Sequence, residues 1–325
     1  MEEFLTASLT KFGSVASAIG IFFVLLGTIF FIAGKFNGKK ARYIAITVFV
    51  GPAVALLAIG VVIPGIQTIL FSFKDAESER FIGFDNYIWM VQDPYILTTM
   101  RNTFLWLIIT PVFTTALGLL LAVALNQMRR ESIPKSFLFM PMAISFVGAS
   151  VIWKFVYEFR DGDTQIGLLN AIWTFLGGEP VNWMLSKPLN TFLLMVILVW
   201  TQMGFAMVIL SAAIKAVPSD LTEAAALDGA SGSAIFRYIT FPMVRTTIVV
   251  VLATQVVGAL KLFDIVETMT GGNFGTNVLA NEMFSRIFVQ YDQGKGSAIA
   301  VLLFIFVTPI LIFNIRSIIK ERANK

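Results

Sequence analysis

The 325-residue sequence contains no cysteine and no histidine. The first absence excludes disulfides, thiolate metal sites and a cysteine nucleophile. The second removes the commonest general base, the commonest metal ligand and the usual near-neutral proton carrier. Charge is also scarce. Asp, Glu, Lys and Arg make up 14% of the chain, against about 25% in a soluble domain, too little polar surface to cover a water-exposed globule. No G-x-x-x-x-G-K-[ST] run occurs, so no nucleotide is held through a P-loop. No tandem repeat is visible. What abounds is apolar: 57% of residues, with 31 Phe and 6 Trp, and a mean hydropathy of +0.81. Despite a basic isoelectric point near 9.3, the chain does not read as a nucleic-acid binder. Its apolar runs of about 20 residues predict an all-α, polytopic helical protein of the lipid bilayer.

Seven spans are expected: Ser17–Gly34, Tyr43–Phe73, Thr103–Leu125, Ser136–Tyr157, Leu189–Ile214, Thr240–Leu262 and Ser297–Ile315. The first reads as retained, because Glu2, Glu3 and only Lys11 precede it and no A-x-A-like cleavage site follows. Pro52, Pro64, Pro111 and Pro141 fall inside spans, which argues for a packed bundle whose neighbours satisfy the freed backbone groups. Segments 35–42, 126–135, 215–239 and the C-terminal tail, with Arg245, hold 14 Lys/Arg and 5 Asp/Glu. The opposite side holds 9 and 15, and Lys261 lies in or near the sixth span. The excess of Lys and Arg predicts that the first group is cytoplasmic, with the N-terminus outside and the C-terminus inside. No loop is long enough to form a separate soluble domain.

One cytoplasmic loop differs from the other short, basic ones. It reads AVPSDLTEAAALDGASGSAIFRYITFPMV, Ala216 to Val244. Pro218 stops the fifth span. Ser219 or Asp220 is the expected N-cap, with Glu223 placed for a capping box. A short helix over Leu221–Leu227 follows, then a bend at Gly229, where a backbone angle that other residues avoid is available, and a second helical piece over Ser231–Ile239. Small residues here let another backbone come close. An interfacial amphipathic helix would carry many cations, whereas Arg237 is the only base between Lys215 and Arg245.

Glu223-Ala224-Ala225, three residues, Gly229, nine residues, and Ile239-Thr240-Phe241-Pro242 resemble the E-A-A…G…I-x-L-P pattern of the permease subunits of bacterial ABC importers. Phe241 stands where that family usually has Leu. Trp200-Thr201-Gln202-Met203-Gly204-Phe205, Phe263-Asp264 before Thr270-Gly271-Gly272, and Gly83-Phe84-Asp85-Asn86-Tyr87 are similar to the carbohydrate-uptake branch, with its maltose-type and α-glucoside-type permeases. The resemblance covers about residues 43–320. It implies a six-span permease core over 43–320, a coupling loop at 216–242 within it, and an additional N-terminal span with a basic loop over 1–42.

The resemblance also implies partners: a second permease subunit forming a heterodimer, two ATPase subunits and an extracytoplasmic solute-binding protein. ATP and Mg would sit on the ATPase, so this chain is expected to bind no cofactor or metal and to catalyse nothing. Glu223, Ala224, Ala225, Gly229, Ile239 and Pro242 would form the lever that meets the ATPase. Against the maltose-type pattern the substrate path falls near Met142, Phe146, Leu198, Gln202, Phe205, Gln255, Ala259 and Leu262, with Trp200 a further candidate near Gln202. Several are apolar, which implies that the paired permease carries much of the contact. Asp264 and Glu267 read either as a docking loop for the binding protein or as a solvated charge pair, and Lys154 with Glu158 as an interfacial pair. The rivals are an ABC permease for a non-carbohydrate solute and a secondary transporter. The second sits poorly with spans that lack a central Asp or Glu.

Overall fold

The computed structural model describes residues 39–162, 166–259 and 262–323, with positions 13–14, 17, 19–24, 27–28 and 31. Eight of the 18 residues of the expected first span, and Lys261, lie outside the described residues. Two compact units are present, Met1–Gln67 and Thr68–Lys325. Among the described residues no strand forms beyond an isolated antiparallel bridge between Lys74 and Phe81.

From Lys39 the chain forms α1 (Lys39–Leu57), a π-helical turn, Ala58–Val62, and α2 (Ile63–Phe71), whose last residues, from Thr68, are counted with the second unit. The wide turn follows from Pro64. That residue has no N–H for the carbonyl four residues back and its ring crowds the same group, so the ladder switches to a five-residue bond, Ile63 N–H to Ala58 O, just before it.

The second unit holds α3 (Asp85–Gln92), α4 (Pro94–Asn126), α5 (Ser132–Phe139), a 3-10 turn at Met140–Ala143, α6 (Phe146–Val156), α7 (Leu168–Phe175) and α8 (Leu189–Lys215). Then come α9 (Ser219–Leu227), α10 (Gly232–Ile235), a π turn at Phe236–Thr240, α11 (Phe241–Ala259), α12 (Phe263–Thr270), α13 (Leu279–Phe284), a π turn at Ser285–Val289 and α14 (Gln293–Ala323). Helix α4 starts well before the expected Thr103. Asp93 caps it by accepting from the N–H groups of Tyr95 (2.8 Å) and Ile96 (3.4 Å), and Pro94 fills the first helical position, where its missing N–H is harmless. Its 33 residues reach about 50 Å, beyond the ~30 Å hydrocarbon layer.

The fourth expected span, Ser136–Tyr157, is not one straight helix. Helices α5 and α6 meet at 105°. The chain turns extended at Ile144 and Ser145, and Ser145 starts a new helix by accepting from the Gly148 N–H at 3.1 Å. Among the described residues four helices are long and apolar enough to cross a membrane: Phe49–Phe71, Pro94–Asn126, Leu189–Lys215 and Gly232–Ala259. The bent pair makes a fifth if counted as one span, and α14 contributes a shorter apolar stretch, Gln293–Pro309. The described residues thus supply four or five of the seven spans expected.

Helices α4 and α8 form the central pair. Gly118 of α4 lies so close to α8 that a Cβ there would be 2.6 Å from the Ala206 Cβ and 2.9 Å from the Met207 nitrogen. This is the small-residue contact that lets helices associate in lipid, where burial of apolar surface gives no drive. One buried cluster gathers Trp106, Leu194, Ile197, Leu198, Val256, Ala259 and Leu262 between α4, α8, α11 and α12. A second, toward the other end, holds Ala122, Leu125, Met207, Leu210 and Val251.

Candidate coupling surface and substrate path

The coupling loop begins where α8 ends at Lys215. Pro218 occupies the N-cap of α9 and supplies no side-chain bond, so the expected Ser219 or Asp220 cap and the Asp220–Glu223 box do not form. The helix starts earlier than expected, with Ser219 and Asp220 already inside its first turn. There the Asp220 carboxylate still complements the helix dipole.

The far end explains the spacing of the motif. Gly229 has φ +83°; its N–H bonds to Ala226 O (3.1 Å) and the Ala230 N–H reaches back to Ala225 O (2.9 Å). These two bonds define a Schellman cap with glycine at the left-handed position. The glycine must therefore stand four residues after Ala225. Ser231 then caps α10, accepting from the Ala234 N–H at 3.3 Å. The expected second helix, Ser231–Ile239, is not separate. It runs through the Phe236–Thr240 π turn directly into α11, with the Phe241 N–H bonded to Phe236 O. Pro242 follows this turn as Pro64 follows the first, for the same reason. Ile239 is half-buried at the turn and Pro242 is exposed.

On α9, Glu223 and Ala224 are exposed and Ala225 half-buried. Leu221 is 47% exposed and Leu227 89%. Among the described residues the main packing contact of α9 is with α10. The structure brings Glu223, Ala224, Ala225 and Gly229 together on one short, projecting helix, and sets Ile239 and Pro242 at the joint where it meets the bundle.

A polar clamp behind this helix was not legible as a whole in the sequence. Lys135 donates to Glu131 (2.8 Å), to Asn126 Oδ1 (2.7 Å) and to the Ser211 hydroxyl; Ser211 donates to Asn126 Oδ1 (2.5 Å); Lys215 donates to the other Glu131 oxygen. The Glu131–Lys135 pair has helical spacing and is a recognisable signal, but Ser211 and Lys215 are distant in sequence. Hydrogen bonds from Lys135 and then Lys215 hold the Glu131 carboxyl below its ordinary value. A lowered folded-state value means the contribution is present above the ordinary glutamate range and lost as pH falls through the lowered value. The thermal midpoint of Glu131→Gln should therefore lie below wild type at pH 7, and the gap should close under acid and at high salt. A gap independent of both would contradict the clamp.

The path candidates separate into groups. Ala259 and Leu262 are 1% exposed, and with Leu198 they belong to the chain's own core. Phe146 and Trp200 pack against that core, with Trp200 edge-on to Trp153 at 5.8 Å. Met142 is exposed at the break between α5 and α6. Gln202 and Phe205 are half-buried on α8, and Gln255 is buried on α11. Lys154 and Glu158 do not pair as expected: α6 ends at Val156, which removes the helical spacing, and Glu158 takes Arg160 at 3.2 Å. Asp264 and Glu267 lie on α12, whose end is capped by Gly271 in the left-handed conformation.

At the end of the bundle away from the coupling loop, buried asparagines do the joining. Asn102 of α4 donates to Gly275 O (2.7 Å) and Asn277 O (3.0 Å). Asn190 of α8 donates to Met184 O and Phe274 O, both at 3.0 Å. The two central helices thus hold the same glycine-rich loop.

A bundle of apolar helices long enough to cross a membrane, with a short exposed helix at one end, marks an integral membrane protein, and comparison with known proteins supplies its class. Residues 100–325 match the family described as binding-protein-dependent transport system inner membrane component. The chain belongs to this family, the permease subunits of ABC importers, whose members are transport components and not enzymes. It is 43% identical over 335 residues to the alpha-glucoside transport system permease protein AglF of Rhizobium meliloti, covering 100% of both chains. It is 48% identical over 269 residues to the osmoprotective compounds uptake permease protein GgtC of Synechocystis, covering 82% of this chain and 96% of that one. The fold resembles a chain of a bacterial ABC transporter involved in alginate import, with TM-score 0.71 at 18% identity over 84% of this chain and 94% of that one.

Proposed function

We propose that this chain is one transmembrane half of a binding-protein-dependent importer of a sugar or small glycoside, with an α-glucoside as the leading substrate class. The names of relatives for alpha-glucosides, trehalose and maltose, and arabinooligosaccharides support the carbohydrate reading. GgtC, named for osmoprotective compounds, supports a small polar solute as the second reading. The observation that carries the mechanism is the exposed helix Ser219–Leu227, closed by Gly229 at φ +83°. A separate ATPase pair, holding ATP and Mg, would grip this helix and move it, and a pseudo-twofold second permease would complete the path.

Alternating access then follows as physics. When the ATPase closes, the coupling helices approach one another, and the continuous rod from α10 through α11 carries that motion into the bundle. Substrate delivered by the solute-binding protein enters from the outer face, and hydrolysis resets the spans inward. Each buried sugar hydroxyl needs a partner. Gln202 and Gln255 supply amides; Phe146, Trp200, Phe205 and Met142 supply apolar faces. Ala259 and Leu262, inside this chain's core, would shape the wall from behind.

Two experiments test this. Uptake of labelled α-glucosides by membranes holding the whole system should fail for Glu223→Lys, with loss of ATPase co-purification, because a reversed charge meets a basic partner. Unchanged uptake and co-purification would sink the coupling role. For topology, a reporter fused after Lys325 should be cytoplasmic and one within 74–102 external; an external C-terminus would overturn the seven-span arrangement.

A further inference from the structure

A crevice of about 390 Å³ lies at the end of α4 and α8 away from the coupling loop, lined by Thr98, Arg101, Lys187, Asn190 and Phe192 among others. Its only charged lining residues are the two cations Arg101 and Lys187, and neither joins an ion pair among the described residues. The stem of Lys187 lies over Gly275, where a Cβ would stand 3.4 Å from Cε and 3.7 Å from Nζ, so the ammonium is held at the crevice. Arg101 shares an exposed stripe of α4 with Leu97, Phe104 and Ile108, at the spacing of one helix face. On α8, Leu189, Phe192 and Val196 form a similar exposed stripe.

We infer that this crevice binds the phosphodiester headgroup of an anionic phospholipid, with its acyl chains along the two stripes. The assignment rests on the chain spanning a bilayer and not on the coupling reading. A guanidinium offers planar, two-pronged donation to phosphate oxygens, and an ammonium adds a compact second charge. Long cationic side chains near the end of a membrane span reach for the interface, and the charge there is not compensated by an ion pair among the described residues. A free anion would use the charges but leave the apolar stripes idle.

The test is native mass spectrometry of the full chain purified in mild detergent, titrated separately with phosphatidylglycerol, phosphatidylcholine and glycerol 3-phosphate. Wild type should hold phosphatidylglycerol about tenfold more tightly than phosphatidylcholine. Arg101→Gln with Lys187→Gln should remove that preference, and Arg101→Lys should keep most of it. Both positions are exposed, and wild type alone decides the first comparison whether or not the double variant folds. Equal binding of the two lipids by wild type would overturn the proposal. So would a preference that survives in the folded double variant, or displacement of phosphatidylglycerol by equimolar glycerol 3-phosphate, which marks a free-phosphate site.

Discussion

Gly204→Val is expected to prevent the bundle from forming. A Cβ at Gly204 on α8 would meet the Leu138 carbonyl oxygen and stand 2.7 Å from the Phe139 Cα. Both are backbone atoms of α5, directly before the 105° break, and neither can rotate away. Overpacking of this kind costs roughly 1–3 kcal/mol and occasionally more, and here it falls on two adjoining backbone residues at once. Monodisperse protein recovered in mild detergent should fall to a small fraction of wild type. Gly258→Ala is the matched control. It lies in α11, and its Cβ would meet nothing within 4 Å, so that variant should be neutral or gain about 0.4–1 kcal/mol from a less flexible unfolded chain. Normal yield and thermal midpoint for Gly204→Val would show that the α5–α8 approach is not required.

Gly229→Val is expected to leave the chain in the membrane and abolish uptake. A Cβ at Gly229 would also meet nothing within 4 Å, so no collision threatens the bundle. The penalty is conformational, roughly 1–3 kcal/mol for a residue other than glycine held at positive φ, and a β-branched side chain is among the least suited to it. The Schellman cap would open, the bonds to Ala225 and Ala226 would break, and α9 would lose its fixed angle to α10. Gly229→Asn should retain much of the uptake, because asparagine visits the left-handed region. Uptake per inserted chain, read beside ATPase co-purification, checks both variants. Equal uptake by Val and wild type would remove the cap from the mechanism. Equal loss by Val and Asn would point to a need for close approach at this position and against the backbone angle.

How much could be read in advance depended on the range of the interactions. Helices α4, α8 and α11 were legible because continuous apolar runs of span length carry their own signal, and Gly229 was legible because a left-handed backbone angle is a local demand. Pro141 read as a tolerated proline inside a span. The turn around it, with Ser145 ready to cap a new helix, made it a break. The Asp220–Glu223 box failed because Pro218 had already taken the cap position. Pro64 and Pro242 each produced a π turn before them, a response of the ladder that no periodicity in the apolar pattern reveals. The clamp of Asn126, Glu131, Lys135, Ser211 and Lys215 and the joints at Asn102 and Asn190 needed the fold itself, since their partners are far apart in sequence. The path residues divided on the same ground: spacing along α8 and α11 cannot distinguish Ala259, turned into the core, from Gln202, half-buried on α8.

The chain has no cysteine, so a single thiol introduced by Leu227→Cys, at the most exposed apolar position of α9, is unique. The decisive measurement is cross-linking from that thiol to lysines of the co-purifying ATPase with a short thiol-to-amine reagent, in a preparation that transports. The coupling account predicts one discrete permease–ATPase product whose yield changes when ATP is added. No such product from a transporting preparation, or a product with the solute-binding protein instead, would contradict it.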